Sequence, residues 1–175
     1  GLLHADLDVS GGRYAPVSSS ELRSTGLDAW LLGHVHSPDD MSGLQPIGYL
    51  GPPVGTDPGE PGPRGPWMLE LDDAGHMSLT MLPRAPLAWD RITVEVDGLP
   101  DVSAVEDAVL HAVSEASATV DVFERPPLAL GLELVLTGRT PFASEVRRAL
   151  TSERLATMRH TARGVTTFVY RVKED

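Results

Sequence analysis

Cysteine is absent from the 175-residue sequence, which excludes a disulfide scaffold, a thiolate zinc site and a cysteine nucleophile. Long apolar runs are missing too. None approaches the ~18 residues that a membrane-spanning helix needs, so we expect no membrane segment. The opening Gly-Leu-Leu-His-Ala lacks the basic start of a signal peptide. Together these absences favour a cytoplasmic globular protein.

Basic residues are scarce, with 14 Lys and Arg against 25 Asp and Glu and a formal net charge of −11. This balance argues against a protein that binds nucleic acid over its whole surface. The charge is uneven, however, because eight basic residues lie between Arg139 and Lys173 with only Glu145 and Glu153 among them. We interpret this stretch either as a phosphate-binding surface or as a solvated face that balances an acidic protein.

A segment dense in Gly and Pro, residues 51–66, predicts irregular structure inside the first of two parts, residues 1–86. Before it, three short apolar runs predict strands, and the spacing of Ser18 and Glu21 predicts a capping box at the start of a helix. After it, two runs joined by Asp-Ala-Gly predict a hairpin. The acids near these strand ends, Asp6, Asp8, Asp39 and Asp40, are interpreted as solvated turn formers.

The second part, residues 87–175, alternates between strand and helix patterns. The predicted elements are a strand over 91–97, a helix capped by Ser103 and Glu106, a strand over 128–136, a helix beginning at Thr140-Pro141 and a strand over 167–172. This order predicts a small α/β sandwich with its helices on one face of the sheet.

Two of the six histidines, His34 and His36, directly follow a buried apolar run and Gly33. In an extended segment, residues two apart point to the same side, so these imidazoles form a candidate pair of metal ligands. His4 ends another apolar run in a matching position, which strengthens the metal hypothesis. We interpret His76, His111 and His160 as ordinary surface or packing residues.

The motifs Gly-Leu-Leu-His4, Tyr14-Ala-Pro, Gly33-His-Val-His36 and Tyr49-Leu-Gly resemble the later motifs of calcineurin-like metallophosphoesterases. The segment Glu60-Pro-Gly-Pro-Arg-Gly and the segment Leu136-Thr-Gly-Arg-Thr-Pro are most similar to SbcD-type DNA repair exonucleases. The resemblance implies an α/β (α+β) fold. Residues 1–86 would hold the C-terminal strands of a phosphoesterase β-sandwich, and residues 87–175 a small α/β capping domain.

The same resemblance implies two divalent metals, typically manganese, which clamp a scissile phosphodiester. His4 and His34 would ligate one metal and His36 the other. DNA is the implied substrate, and a long coiled-coil ATPase is an implied partner subunit. Arg139, Arg147 and Arg148 of the capping domain are the candidate DNA contacts.

The family's Asp-x-His, Gly-Asp-x-x-Asp and Gly-Asn-His motifs, which precede the strand carrying His4, are not in this sequence. They would supply the bridging Asp and the catalytic His. We therefore expect a C-terminal half that is inactive without the N-terminal half of the same enzyme and binds metal weakly by itself. Two alternatives stay open: a non-catalytic module that binds nucleic acid or a partner, and a phosphoesterase for nucleotides or phosphoproteins.

Overall fold

The computed structural model describes residues 1–118 and 125–174. It confirms a mixed α/β fold and divides the chain into two compact units, Gly1–Pro53 with Arg64–Leu82 and Val54–Pro63 with Pro83–Asp175. The domain boundary that the sequence suggests, between residues 86 and 87, stays a prediction. Within the described residues, no helix is both long and apolar enough to cross a membrane.

The first unit contains a parallel three-stranded sheet in the order β1-β2-β3. Its strands are β1 (Leu2–His4), β2 (Trp30–Gly33) and β3 (Ile47–Tyr49), as the apolar runs predict. Helix α1 (Ser19–Ser24) places Leu22 in a small core with Leu32 and Tyr49. The predicted capping box is confirmed: the Ser18 hydroxyl accepts from the Glu21 amide at 3.2 Å, and the Glu21 carboxylate accepts from the Ser18 amide at 2.8 Å.

An antiparallel hairpin completes this unit, formed by β4 (Trp67–Leu71) and β5 (Met77–Met81). Its turn is stabilised by Asp72, whose carboxylate accepts from the amides of Ala74 and His76. The Trp67 indole donates to the Leu50 carbonyl at 2.9 Å. The predicted hairpin is therefore confirmed and is tied to the end of the parallel sheet.

The second unit contains a four-stranded sheet in the order β6-β7-β9-β8. Strands β6 (Leu87–Glu95), β7 (Ala129–Thr137) and β9 (Val165–Glu174) are parallel, and β8 (Arg159–Ala162) is antiparallel to β9. The sequence analysis did not predict β8. It pairs with β9 through a two-residue turn, Arg163-Gly164, in which both residues have positive φ.

Three helices in the described residues of this unit are α2 (Val102–Ala118), α3 (Ala143–Ala149) and α4 (Ser152–Thr157), the last of which was not predicted. They share one apolar core with the alternating leucines of β7, as the helical and strand periodicities indicate. The core contains Val105, Val109 and Val113 of α2, Val146 of α3, Leu155 of α4, and Leu130, Leu132, Leu134 and Leu136 of β7.

The predicted starts of α2 and α3 were wrong. Helix α2 is capped by Asp101, whose carboxylate accepts from the Ala104 amide at 2.9 Å. Glu106, which was expected to form a capping box with Ser103, binds Arg154 instead. Helix α3 begins at Ala143 and not at Thr140-Pro141. The Thr140 hydroxyl accepts from the Phe142 amide and so stabilises a turn that precedes the helix.

The outer face of this sheet, opposite the helical core, has two different halves. One half carries Trp89 of β6, whose indole lies over Gly131 of β7. The indole fits there because Gly131 has no side chain, and a Cβ at this position would occupy the same space. The Trp89 indole donates to the Gly55 carbonyl at 2.9 Å, so the segment Val54–Pro63 covers this half. The other half carries charged side chains.

Candidate functional site

His4 and His34 lie side by side at the carboxyl ends of neighbouring parallel strands. The register of β1 and β2 pairs His4 with Gly33, so His34 is the next residue beyond the strand end. The two ring centroids are 5.1 Å apart in an edge-to-face arrangement. Gly33 leaves room for this contact, because a Cβ there would lie 3.2 Å from Nδ1 of His4. The structure thus brings together two of the three histidines in the predicted metal set.

The backbone of His34 is unusual for a residue with a side chain, since its φ is +114°. Such a conformation persists where the surroundings hold it in place. Nε2 of His34 lies 3.0 Å from Oδ1 of Asp6, and its ring centroid is 4.6 Å from that of Tyr14. His34 therefore connects the ends of β1 and β2 through a carboxylate and two rings.

Asp6 is a buried residue, 9% exposed, and not the solvated turn former that the sequence analysis expected. Its Oδ2 accepts from the Tyr14 amide at 3.0 Å, while Oδ1 faces His34. Tyr49 fixes the same segment, because its hydroxyl donates to the Ala5 carbonyl at 3.0 Å and accepts from the Leu7 amide at 2.7 Å. The spacing of Asp6, two residues after the strand-end His4, was the signal that could have revealed it.

His36 is exposed and follows a bend at His34. The segment is therefore not the extended strand in which the side chains of His34 and His36 would point to the same side. In residues 1–118 and 125–174, no group of three or more His, Cys, Asp and Glu side chains is arranged to hold a metal ion. The imidazole nitrogens of His4 and His34 are donors that divalent transition metals accept, whereas both carboxylate oxygens of Asp6 already face His34 and the Tyr14 amide. The described residues therefore fit part of a metal site.

The two candidate DNA contacts on α3, Arg147 and Arg148, are exposed, as expected, but each has a carboxylate partner. Arg147 binds Glu174 through two bonds of 2.6 and 2.5 Å, which raises the pKa of Arg147 and lowers that of Glu174. Arg148 lies 3.5 Å from Glu145. Arg139 precedes the helix, and its backbone amide, not its guanidinium, donates to Asp97 at 2.6 Å. The positive charge of this helix is therefore largely balanced nearby.

A charged cluster that the sequence analysis missed lies on the open half of the outer sheet face. The Glu133 side chain is 3% exposed and contacts three cations: Nε of Arg91 at 2.7 Å, Nη2 of Arg171 at 2.5 Å and Nζ of Lys173 at 2.9 Å. Hydrogen bonds from Lys173, then from Arg91 and Arg171, lower the pKa of Glu133 to about 2, against the opposing effect of burial. We call these four residues the Glu133 cluster. The sequence signal for this cluster was Glu133 itself, an acid on the face of β7 opposite the alternating leucines.

Comparison with known proteins points to one class. Residues 89–174 match the family model described as "Metallophosphoesterase YhaO, middle domain". Together with the sheet-end histidines, this match supports the metallophosphoesterase superfamily, whose members generally bind divalent metals. It does not single out the SbcD-type exonucleases within that superfamily.

A curated relative agrees with this class. The chain is 26% identical over 118 residues to a protein of Bacillus subtilis (strain 168) named "Uncharacterized metallophosphoesterase YhaO". The matched region covers 66% of this chain and 29% of that protein. The chain thus corresponds to a minor part of its relative.

Proposed function

We propose that this chain is part of a metal-dependent hydrolase that cleaves the phosphodiester bonds of DNA as an exonuclease, and that it follows the N-terminal catalytic motifs of that enzyme. The observation that carries the proposal is the pair of His4 and His34, placed at the carboxyl ends of adjacent parallel strands with Asp6 bonded to His34. Ligand sites of α/β sheets lie at this edge. The match to metallophosphoesterases supports the reaction class.

In the proposed enzyme, His4 and His34 would hold one divalent metal, with manganese as the candidate ion, and His36 would hold a second. When bound, such a pair of metals would supply Lewis-acid activation of the scissile phosphate and of the attacking water. Asp6 would act as a positioning residue, because its carboxylate lies 3.0 Å from Nε2 of His34 and would fix the orientation of that ring. Carboxylate ligands and the group that protonates the leaving oxygen come from the N-terminal half.

The test uses the whole protein that contains this chain and a small phosphodiester, bis(p-nitrophenyl) phosphate, with manganese. Because His34 is itself a proposed ligand, His34→Ala should lower kcat/KM by more than the ~10–100-fold that loss of an outer-shell partner of a metal ligand costs. His111→Ala is the matched control, because His111 lies on the exposed face of α2 and its side chain is 75% exposed. Equal activities of the two variants would contradict the proposal.

The 175-residue chain by itself tests the proposed division of the active site. We expect weak manganese binding and background hydrolysis, because few of the charged ligands come from this part. Calorimetry with manganese and hydrolysis of a linear duplex measure these two properties. Manganese-dependent exonuclease activity of this chain that is lost in His36→Ala would show that the division is wrong.

A further inference from the structure

The Glu133 cluster differs from the other ion pairs of the second unit in its ratio of charges. Three cations surround one carboxylate, which leaves a local charge of +2 on a chain of net charge −11. Arg147 pairs with Glu174 and Arg154 pairs with Glu106, one carboxylate for each arginine. The cluster is therefore a place where this acidic protein presents excess positive charge.

The cations of the cluster are exposed although their anchor is buried. The side chains of Arg91, Arg171 and Lys173 are 64%, 49% and 48% exposed. A guanidinium has five N–H donors and an ammonium has three, so a single contact with Glu133 leaves each cation with donors directed to solvent. An anion on the open sheet face could accept from them without displacing Glu133.

Glu133 also holds the cations in place before any ligand arrives. Because the pKa of Glu133 is about 2, its carboxylate is ionised throughout the physiological pH range. Arg171 is further restrained by Tyr170, whose ring centroid lies 5.6 Å from the guanidinium carbon. Long basic side chains that are already ordered lose less conformational entropy on binding, which favours anion binding.

The extent of the positive surface is limited on both sides. At one end, the Trp89 indole donates to the Gly55 carbonyl and the Tyr170 hydroxyl donates to the Pro58 carbonyl. The segment Val54–Pro63 therefore covers the aromatic half of the face. At the other end, the Glu95 carboxylate accepts from the Thr137 hydroxyl at 3.3 Å. The open positive surface is thus a small patch bordered by a loop and by an acid.

We infer that the Glu133 cluster binds the phosphodiester backbone of DNA, with Arg91, Arg171 and Lys173 as the phosphate contacts of the second unit. The inference rests on the proposed function, which makes DNA the polyanion this protein meets. It differs from the sequence-based candidates on α3 in a physical respect. Arg147 and Arg148 each have an acidic partner, whereas the cluster has three cations for one carboxylate.

The test measures binding of the 175-residue chain to a fluorescein-labelled DNA duplex by anisotropy across a salt series. The variant Arg91→Gln/Lys173→Gln keeps Arg171 as a partner for Glu133. Losing two phosphate contacts should reduce the slope of log K against log salt by about 1.8, from ~0.9 per contact. The matched control, Arg147→Gln/Arg148→Gln, changes the net charge equally and should keep the slope of the unaltered chain.

A complementary variant keeps the inference testable if the double variant does not fold, which circular dichroism would reveal. Lys173→Gln removes one exposed cation and leaves Arg91 and Arg171 on Glu133, so the slope of log K against log salt should fall by about 0.9. A structural role alone would leave the slope unchanged in Lys173→Gln.

Three results would overturn the inference: an unchanged slope in the cluster variants, a slope lost only in the α3 variant, or competition by polyglutamate as strong as by unlabelled DNA. Failure of the proposed function is a separate result. It would appear as a whole protein that does not hydrolyse bis(p-nitrophenyl) phosphate with manganese, whatever the DNA affinity of this chain.

Discussion

Replacing Leu132 by alanine should strongly destabilise the second unit. Leu132 is fully buried in β7, a central strand with neighbours on both sides, and pairs with Val169 of β9. It belongs to the same core as Val109 of α2. The truncation removes buried methyl groups and leaves a cavity that a strand held on both edges cannot close.

The expected cost follows from these two effects. Leucine-to-alanine changes in protein cores cost about 2–5 kcal/mol, and the cost rises with the cavity that remains. Because Leu132 lies in a strand paired on both edges, we expect the upper half of this range, about 3–5 kcal/mol. Leu128→Ala is the matched control. Leu128 is 66% exposed just before the same strand, so its loss should change stability by less than ~0.5 kcal/mol.

Urea unfolding, followed by circular dichroism and by tryptophan fluorescence, measures both variants. Trp89 reports on the second unit, whereas Trp30 and Trp67 belong to the first. A Trp30→Phe/Trp67→Phe background would therefore isolate the relevant transition. The reasoning is refuted if Leu132→Ala costs less than ~1 kcal/mol, or no more than Leu128→Ala.

Stability of the second unit should fall between about pH 4.5 and pH 2, because the pKa of Glu133 is lowered from 4.5 to about 2 in the folded protein. The stabilisation by the Glu133 cluster is fully present above the pKa of Glu133 in the unfolded chain and is lost as the pH falls through its pKa in the folded protein. The urea midpoint should therefore depend less on pH in Glu133→Gln than in the unaltered chain. Identical pH profiles would contradict this assignment. Ser18→Ala should destabilise the first unit by about 1 kcal/mol, since it removes the bond to the Glu21 amide at the start of α1. Thermal unfolding tests this, with Ser10→Ala as an exposed-loop control, and equal melting temperatures for the two variants would argue against the cap.

Local patterns predicted most elements because the forces that select them act over a few residues. The capping box of Ser18 and Glu21 lies within one helical turn, and the structure shows both of its hydrogen bonds. The same motif at Ser103 and Glu106 misled, because Glu106 binds Arg154, 48 residues away. A distant partner with a full charge competes successfully with a local cap, and the local pattern carries no sign of it.

Short elements were missed for a related reason. Strand β8 has four residues and exists because β9 offers it an edge across a tight turn at Arg163-Gly164. Its sequence, Arg-His-Thr-Ala, has no apolar alternation. Pairing with a neighbour, and not intrinsic preference, determines such a strand.

The candidate site shows the same division. The sequence alone determined that His4 and His34 would lie at strand ends, since apolar runs that end in a polar residue mark the ends of strands. Tertiary structure decided that the two rings touch, because parallel pairing sets His4 opposite Gly33. It also decided that Asp6 is a partner of His34 and not a solvated acid.

The sequence likewise determined that the leucines of β7 face a core, because a strand alternates its side chains between two faces. What the opposite face does depended on neighbours from distant parts of the chain. Strand β6 brings Arg91 beside Glu133, and an irregularity in the pairing of β9 aligns Arg171 with the same residue. Charges 38 to 42 residues apart in the chain meet only through sheet register, which local sequence does not encode.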